Sequence, residues 1–490
     1  MSIRQVWITS VILTMLGLAL VLIQHWGMML SNADDPWIAQ LGYSSGVVQG
    51  SMDAAKLQGR FGFIPVLTIA QWPYLLDSWE FVNSLKIIVN GLVFLSFVLF
   101  CSKLINKYAG LLMGLVWLAL IDINSSSYSA IHGFLLFFNL QFCFFFASLY
   151  VFLDRLEKNK TEQIIIAPYL LFAFSLLAYE PMIFYAMVFP ALYVYKKSQG
   201  SGTESKISIV THAQRFLSQN YMLAIVVVLY LICYVGFKKL YATGGQSIDL
   251  GASWSAVVKT IVNFSIHGFH VQLKPFAVAV LEQHSQANLI IAVVFGVILV
   301  LAMFLIIPRI EGDLIAPNLY KPQSLFILGF FILSPNILYG FVEGYRKWAN
   351  YDPHYVGNYF SSFPLAMGIA LLVLYLVGGE KFKRERILFL LVIYVFFSSA
   401  VDNYLRWEQL AGTNRNESVL WQKAIHDLSR QKFDSQHQTL ICTNNAPKHV
   451  SGDDKYWSQY LSGKFSSDIQ FISNRVSLTS CDVIIDFQKG

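Results

Sequence analysis

The sequence contains little charge. Only 13% of its 490 residues are Asp, Glu, Lys or Arg, whereas a soluble domain contains about 25%. The hydrophobic share is 56% and the mean hydropathy is +0.53. The apolar stretches are long and uninterrupted, so the short alternating segments of an outer-membrane barrel are missing as well. These absences exclude an ordinary soluble protein and predict a polytopic α-helical membrane protein.

Several nucleotide-binding and hydrolase motifs are also missing from the sequence. It has no Walker phosphate loop, no dinucleotide-binding fingerprint and no Gly-x-Ser-x-Gly elbow. We therefore do not expect ATP-driven transport within this chain. No soluble nucleotide-sugar domain is recognisable, so an outward-facing transferase would need an activated donor that has already crossed the membrane.

The apolar stretches predict an all-α membrane domain of about eleven spans, each needing about 20 apolar residues. The predicted spans are 6–30, 84–102, 108–122, 133–153, 164–178, 181–195, 220–237, 288–307, 324–342, 358–378 and 386–402. Glu180-Pro181 interrupts the apolar stretch 164–195 near its middle. Two readings stay open there, namely two short helices that turn or one long helix with a kink.

The lysines and arginines between the spans predict the orientation of the chain. With the N-terminus in the cytoplasm, the inside loops hold more of them than the opposite loops, as the positive-inside rule requires. An odd number of spans then places the C-terminal segment outside. We divide the chain into a membrane domain at 1–402, with a first outer loop at 31–83, and an outer domain at 403–490.

The segment 403–490 predicts a small α/β domain. Its amphipathic helix is marked by Val419, Leu420, Ala424, Ile425 and Leu428, with Thr413 and Asn414 as caps. Strand-like runs follow at 439–442, 468–472 and 482–487. Cys442 and Cys481 form a disulfide if this region faces an oxidising compartment such as a periplasm. The other cysteines, Cys101, Cys143 and Cys233, lie in apolar stretches and are expected to be inert.

An acidic pair, Asp34-Asp35, lies just beyond the first predicted span. A second carboxylate nearby raises the pKa of a carboxyl group, and a base that deprotonates an alcohol needs a suitable pKa and a fixed position. The pair is thus a candidate for general-base catalysis. Asp-Asp-Pro also suits a simple solvated turn, which is the structural alternative.

Two further candidates are expected on the same side of the membrane. Arg60 lies in Gln58-Gly59-Arg60-Phe61-Gly62, where glycines allow close backbone approach and an arginine can hold a phosphate through two hydrogen bonds. It could equally be an interfacial anchor. Tyr179 and Glu180 interrupt an apolar stretch, where a carboxylate is costly without a partner or a task. Glu180 either binds sugar hydroxyls or ends a helix in headgroup water.

A basic, aromatic turn precedes the tenth predicted span. Arg346, Lys347 and His354 could hold a phosphate and stabilise it as a leaving group, although such belts also anchor helices in lipid headgroups. His267 and His270 have a metal-like spacing, but no Cys or further His completes a site. We therefore predict no metal site and no cofactor, and the need for a divalent metal stays open.

The stretch Asn32-Ala33-Asp34-Asp35-Pro36-Trp37, followed by Gly59-Arg60, resembles the first-loop pattern of serotype-converting O-antigen glucosyltransferases. These are GT-C membrane glycosyltransferases. The resemblance implies transfer of a sugar, glucose being the first expectation, from a polyprenyl-phosphate donor to a surface glycan such as the O-antigen of lipopolysaccharide. Asp34 or Asp35 would be the base, and Arg60 a phosphate or sugar contact.

The same resemblance implies a location and partners. The protein would lie in the bacterial inner membrane and work on the periplasmic face, with a flippase and a polyprenyl-phosphate sugar synthase as functional partners and no nucleic acid. Three other classes stay open: a transporter or flippase of lipid-linked glycans, an O-antigen polymerase or ligase, and a scaffold that binds through 403–490. A transporter should carry charges near mid-membrane and show repeat symmetry, which the sequence does not clearly have.

Overall fold

The computed structural model describes residues 2–24, 26, 38, 41, 46–76, 78–121, 136–158, 166–198, 209–242, 249, 251–267, 269, 286–310, 322–351, 356–377, 386–431, 433, 437–444, 454–473 and 481–486. The helices are α1 Ile3–Ile23, α2 Val47–Gln58, α3 Phe63–Leu75, α4 Trp79–Leu104, α5 Lys107–Leu120, α6 Phe137–Glu157, α7 Ala167–Ala178, α8 Val188–Ser198, α9 Ile209–Gln219, α10 Tyr221–Tyr241, α11 Trp254–Ile266, α12 Gln286–Ile306, α13 Pro322–Leu333, α14 Ile337–Gly340, α15 Glu343–Tyr351, α16 Val356–Val377, α17 Arg386–Ser429 and α18 Asp454–Phe465. The strands are β1 Thr439–Asn444, β2 Ile469–Ile472 and β3 Val483–Asp486.

The helices agree with the predicted class of membrane protein. Within the described residues, six helices are long and apolar enough to cross a bilayer, namely those at Ile3–Ile23, Glu80–Leu104, Tyr221–Tyr241, Gln286–Arg309, Tyr359–Leu376 and Arg386–Ser429. The prediction of an all-α membrane protein with a small C-terminal sheet is confirmed, whereas eleven spans are not. The stretch 31–83, predicted as a loop, contains α2, α3 and the start of α4.

Helix α5 lies in the core of the bundle. Every residue from Tyr108 to Leu120 is buried, and α5 packs against α1, α4, α12, α16 and α17. A helix that is apolar on all sides belongs inside the protein. Its 14 residues span about 21 Å, which is shorter than the roughly 30 Å of a bilayer core. Burial among other helices, rather than contact with lipid, therefore explains its hydrophobicity.

The apolar stretch around Glu180 is broken. Helix α7 ends at Ala178, Tyr179 is extended with φ −158° and ψ 130°, and a 3-10 helix follows at Glu180–Met187 before α8 begins. Pro181 lies in the first turn of the 3-10 helix, where its missing N–H is not needed. Of the two readings left open by the sequence, the structure has separate helical segments divided at Tyr179.

Helix α17 connects the bundle to the C-terminal unit without interruption. It contains 44 residues and passes through the predicted domain boundary at 402/403. The Nδ2 of Asn403 donates to the carbonyl oxygen of Ala119 at 2.8 Å, so residue 403 still lies beside the core helix α5. The prediction that Thr413 caps a helix is wrong. Thr413 is an internal residue of α17, and its hydroxyl donates to the Gln409 carbonyl oxygen. Such a bond lets threonine remain within a helix.

The C-terminal unit is a small parallel sheet covered by α18. The strand order is β2-β1-β3, with Thr439 paired to Ile469 and Ile441 paired to Val483. Trp421 of α17 contacts Trp457 of α18, with ring centroids 4.4 Å apart. The end of α17 is thus packed into this unit. The predicted disulfide between Cys442 and Cys481 is confirmed, with a Cα–Cα distance of 5.8 Å.

The disulfide gives a countable prediction. High-mass maleimide added to the purified, denatured protein should modify three cysteines, Cys101, Cys143 and Cys233, before reduction and all five after it. A gel shift counts the modified cysteines. The Cys442→Ser/Cys481→Ser variant is the control and should show three in both samples. Five modified cysteines in the unreduced protein would contradict the prediction.

Candidate functional site

The turn Gly59–Gly62 positions Arg60. Helix α2 ends at Gly59, which has φ 68° and ψ 32°, and the Arg60 N–H donates to the Ala55 carbonyl oxygen at 2.9 Å. This left-handed helix end favours glycine because a side chain is strained there. A Cβ on Gly62 would lie 2.0 Å from the Leu177 carbonyl oxygen. Both glycines are therefore needed for the turn to approach the ends of α10 and α7.

Arg60 forms an ion pair with Glu180. The Nε of Arg60 lies 2.7 Å from Oε1 of Glu180, and the side chains are only 22% and 11% exposed. The guanidinium carbon lies 5.0 Å from the ring centroid of Tyr179 and 5.1 Å from that of Phe63. Desolvation by burial acts to lower the pKa of Arg60, but the charge of Glu180 leads the effects that raise it well above its ordinary value. The Arg60 guanidinium is therefore charged.

Tyr179 links this pair to the turn that carries Arg346. Its hydroxyl lies 2.7 Å from the hydroxyl of Tyr345, and its carbonyl oxygen accepts from Nε2 of Gln141 at 3.4 Å. Burial raises the pKa of Tyr179 well above its ordinary value, and the neighbouring Tyr345 adds to this effect. The phenol therefore remains neutral and acts through hydrogen bonds only.

Arg346 and Lys347 both have carboxylate partners. The Nη2 of Arg346 lies 2.5 Å from Oδ2 of Asp249, and its Nη1 donates to the Gly340 carbonyl oxygen at 3.2 Å. Lys347 lies 2.8 Å from Glu343 on the exposed surface of α15, and its hydrogen bond lowers the pKa of Glu343. A phosphate bound here would have to compete with these two carboxylates.

The structure brings together most of the predicted residues that it describes. Arg60, Tyr179 and Glu180 are in contact, and Arg346 lies next to Tyr345 in the same cluster. Lys347 lies one residue further along α15 and faces solvent. The catalytic candidates Asp34 and Asp35, and the contacts His354 and His270, fall outside the described residues. Their predicted roles stay predictions.

No metal site appears among the residues that the structure describes. Within them, no group of three His, Cys, Asp or Glu side chains could hold an ion. His267 ends α11, with its Nδ1 2.8 Å from the Asn263 carbonyl oxygen. Its position is that of a helix-capping residue.

Three residues of the site were not predicted. The position of Tyr345 beside Arg346 in the sequence could have suggested it as a site residue. The second residue, Tyr234 of α10, interacts with the Glu180 carboxylate. Asp249 gave no signal in the sequence, because its partner lies almost a hundred residues away. Together with the predicted residues, they make a polar cluster of two carboxylates, two arginines and several phenols at one end of the bundle, which we call the Arg60 end.

A scan against models of protein families finds no match, and a search of curated proteins finds none of significant similarity. The function therefore has to be argued from the residues of the Arg60 end.

The Arg60–Glu180 pair generates a stability prediction. Arg60→Met or Glu180→Leu alone should each lower the unfolding free energy by about 3–5 kcal/mol, because each leaves a buried charge without its partner. The double variant should recover much of this loss. Thermal unfolding in detergent measures the effect.

A surface pair serves as the control. Lys158 and Asp154 lie 2.7 Å apart, but Lys158 is 58% exposed, so Lys158→Met should cost about 0–1 kcal/mol. Equal melting temperatures for Arg60→Met and Lys158→Met would contradict a structural role for the buried pair.

Proposed function

We propose that this protein is a membrane glycosyltransferase of the GT-C kind. It transfers a sugar, glucose being the first candidate, from a polyprenyl-phosphate donor to a surface glycan such as O-antigen at the periplasmic face of the bacterial inner membrane. The proposal keeps the predicted number of about eleven spans. A span requires about 20 apolar residues, and some of the predicted spans are divided into shorter segments or buried in the bundle. The flippase and the donor synthase would be its functional partners.

One observation carries the proposal. Three polar segments that are far apart in the sequence, at Arg60, at Tyr179-Glu180 and at Tyr345-Arg346, meet at one end of a largely apolar bundle. Ionisable groups in such surroundings are costly and usually serve a task. A cluster of carboxylate, guanidinium and phenols offers both donors and acceptors. It suits a ligand that combines hydroxyl groups with a phosphate.

The proposed reaction is a displacement at the anomeric carbon. An acceptor hydroxyl oxygen forms the new bond to that carbon while the bond to the donor phosphate oxygen breaks, and the electron pair leaves with the polyprenyl phosphate. The carboxylate of Asp34 or Asp35 takes the hydroxyl proton. Arg346 and Lys347 exchange their carboxylate partners for the departing phosphate and stabilise its charge.

The remaining residues bind and orient the substrates. Glu180 and Tyr179 hydrogen-bond sugar hydroxyls, Arg60 contacts the phosphate or the sugar, and His354 contributes a further hydrogen-bond donor. Holding donor and acceptor in the reactive geometry supplies a large part of the rate.

The acid pair provides the test. Asp34→Asn or Asp35→Asn should lower transfer at least about 100-fold, because the acceptor hydroxyl loses its base. Purified wild type and variants are assayed with polyprenyl-phosphate glucose and a bacterial surface glycan, and membrane insertion is checked separately. Asp53→Asn is the matched control, since Asp53 is an exposed residue of α2 in the same region and bonds to Gln49.

Two results would count against the proposal. Unchanged transfer by both single variants and the double variant would remove the base assignment. No transfer by the wild type, together with movement of a lipid-linked glycan across vesicle membranes, would favour the transporter instead.

A further inference from the structure

Two lysines adjoin the turn that holds Arg60. Lys56 lies in the last turn of α2, and its Nζ is 5.9 Å from the ring centroid of Tyr241. Lys238 lies in the last turn of α10, with its Nζ 5.7 Å from the ring of Tyr234. A Cβ on Gly59 would lie 3.1 Å from Cγ of Lys238. The two helix ends therefore meet in one corner, which we call the lysine corner.

The lysine corner has more positive than negative charge. Lys56, Lys238 and the adjacent Lys239 have no carboxylate partner in the part of the chain that the structure describes, and Arg60 contacts Glu180 through Nε. No described residue accepts a hydrogen bond from either Nη of Arg60. Helix dipoles explain a lysine in the last turn of each helix. They do not explain why both ends converge on a buried arginine, since like charges repel.

The lysine corner lies at the end of a helix that is exposed along its length. In the most apolar 18-residue stretch of α10, only 11% of the residues are buried inside the protein. The corresponding share for α1 is 39%. The exposed apolar side chains of α10 run from Tyr221 and Ile225 to Leu240. Its 21 residues extend about 31 Å, close to the roughly 30 Å of a bilayer core. A long apolar surface thus leads directly to a cluster of cations.

We propose that the lysine corner is a docking site for the phosphate head of a polyprenyl phosphate, with the prenyl chain lying along α10. Lys56 and Lys238 hold the phosphate, and Lys239 adds to the attraction. A prenyl chain suits a surface that runs the depth of the membrane, whereas a phospholipid tail covers one leaflet. A phosphate monoester also carries about −1.5 to −2 charges at pH 7, which matches several cations better than the single charge of a phosphodiester lipid.

The lysine corner adjoins the candidate active site. The Tyr234 ring that lies under the Lys238 ammonium also contributes the hydroxyl that interacts with Glu180. A carrier lipid bound at the corner is therefore one side chain away from the Arg60 cluster. This inference rests on the proposed function for the identity of the lipid, and it places the release of the carrier at α10.

Binding of defined lipids tests the dock. The full-length protein in phosphatidylcholine nanodiscs is titrated with undecaprenyl phosphate, and binding is measured by native mass spectrometry. Lys56→Gln/Lys238→Gln should weaken binding about tenfold or more, because each charge-assisted hydrogen bond contributes about 1.5–3 kcal/mol. Lys56→Arg/Lys238→Arg should bind like the wild type, and this variant separates lost charge from lost folding.

The matched control is Lys107→Gln. The ammonium of Lys107 lies 5.1 Å from the ring of Trp7 and 5.2 Å from that of Tyr108, so it has the same kind of aromatic contact without a neighbouring Arg60. Its variant should bind undecaprenyl phosphate normally. Undecaprenol, which has no phosphate, should bind at least tenfold more weakly than undecaprenyl phosphate.

Four results would overturn the dock: wild-type binding by the double Gln variant, equal binding of undecaprenol, equal competition by phosphatidylglycerol, or displacement by inorganic phosphate at similar concentrations. Transfer kinetics separate the dock from the proposed function. Weaker inhibition of transfer by added undecaprenyl phosphate in the Gln variant supports the dock. Lysine-dependent binding without any transfer by the wild type would support the docking site and contradict the proposed glycosyltransferase activity.

Discussion

The ion pair between Arg60 and Glu180 is the interaction on which the Arg60 end depends. A carboxylate in the middle of an apolar stretch needs a cation, and Arg60 is brought to it by a turn whose glycines fit against α10 and α7. Tyr179 must leave the helix so that Glu180 can face that turn. The break in the apolar stretch and the glycine turn are therefore two parts of one requirement, although about 120 residues separate them.

The sequence predicted the members of this cluster better than their partners. A charge in an apolar stretch is visible locally, which is why Arg60, Glu180 and Arg346 could be singled out one by one. Pairing depends on packing between distant segments, and no local pattern encodes it. The prediction left Arg346 and Lys347 available for a phosphate, yet Asp249 and Glu343 hold them. Asp249 lies in a region where nothing marks an aspartate as part of a site.

Hydropathy predicted where helices form but not what surrounds them. Helix α5 and helix α10 both read as spans, yet α5 is enclosed by other helices and α10 is largely exposed. Hydrophobicity measures only the cost of contact with water, which is the same for a protein interior and for lipid. The single helix α17 also runs across the predicted boundary at 402/403. Polar residues after the apolar part of α17 continue the helix, because helix formation depends on backbone bonding as well as on burial.

The two ends of the bundle differ in how their charges are balanced. At the far end, Lys103 and Lys196 of α4 and α8 share the carboxylates of Asp154 and Glu157 on α6, at distances of 2.8–3.2 Å. That network is complete and has a structural role in joining helix ends. At the Arg60 end, one carboxylate serves Arg60 while lysines from two other helix ends lie nearby. Neighbouring cations repel one another unless an anion binds between them. In a membrane, the phosphate group of a lipid is an anion that can bind there.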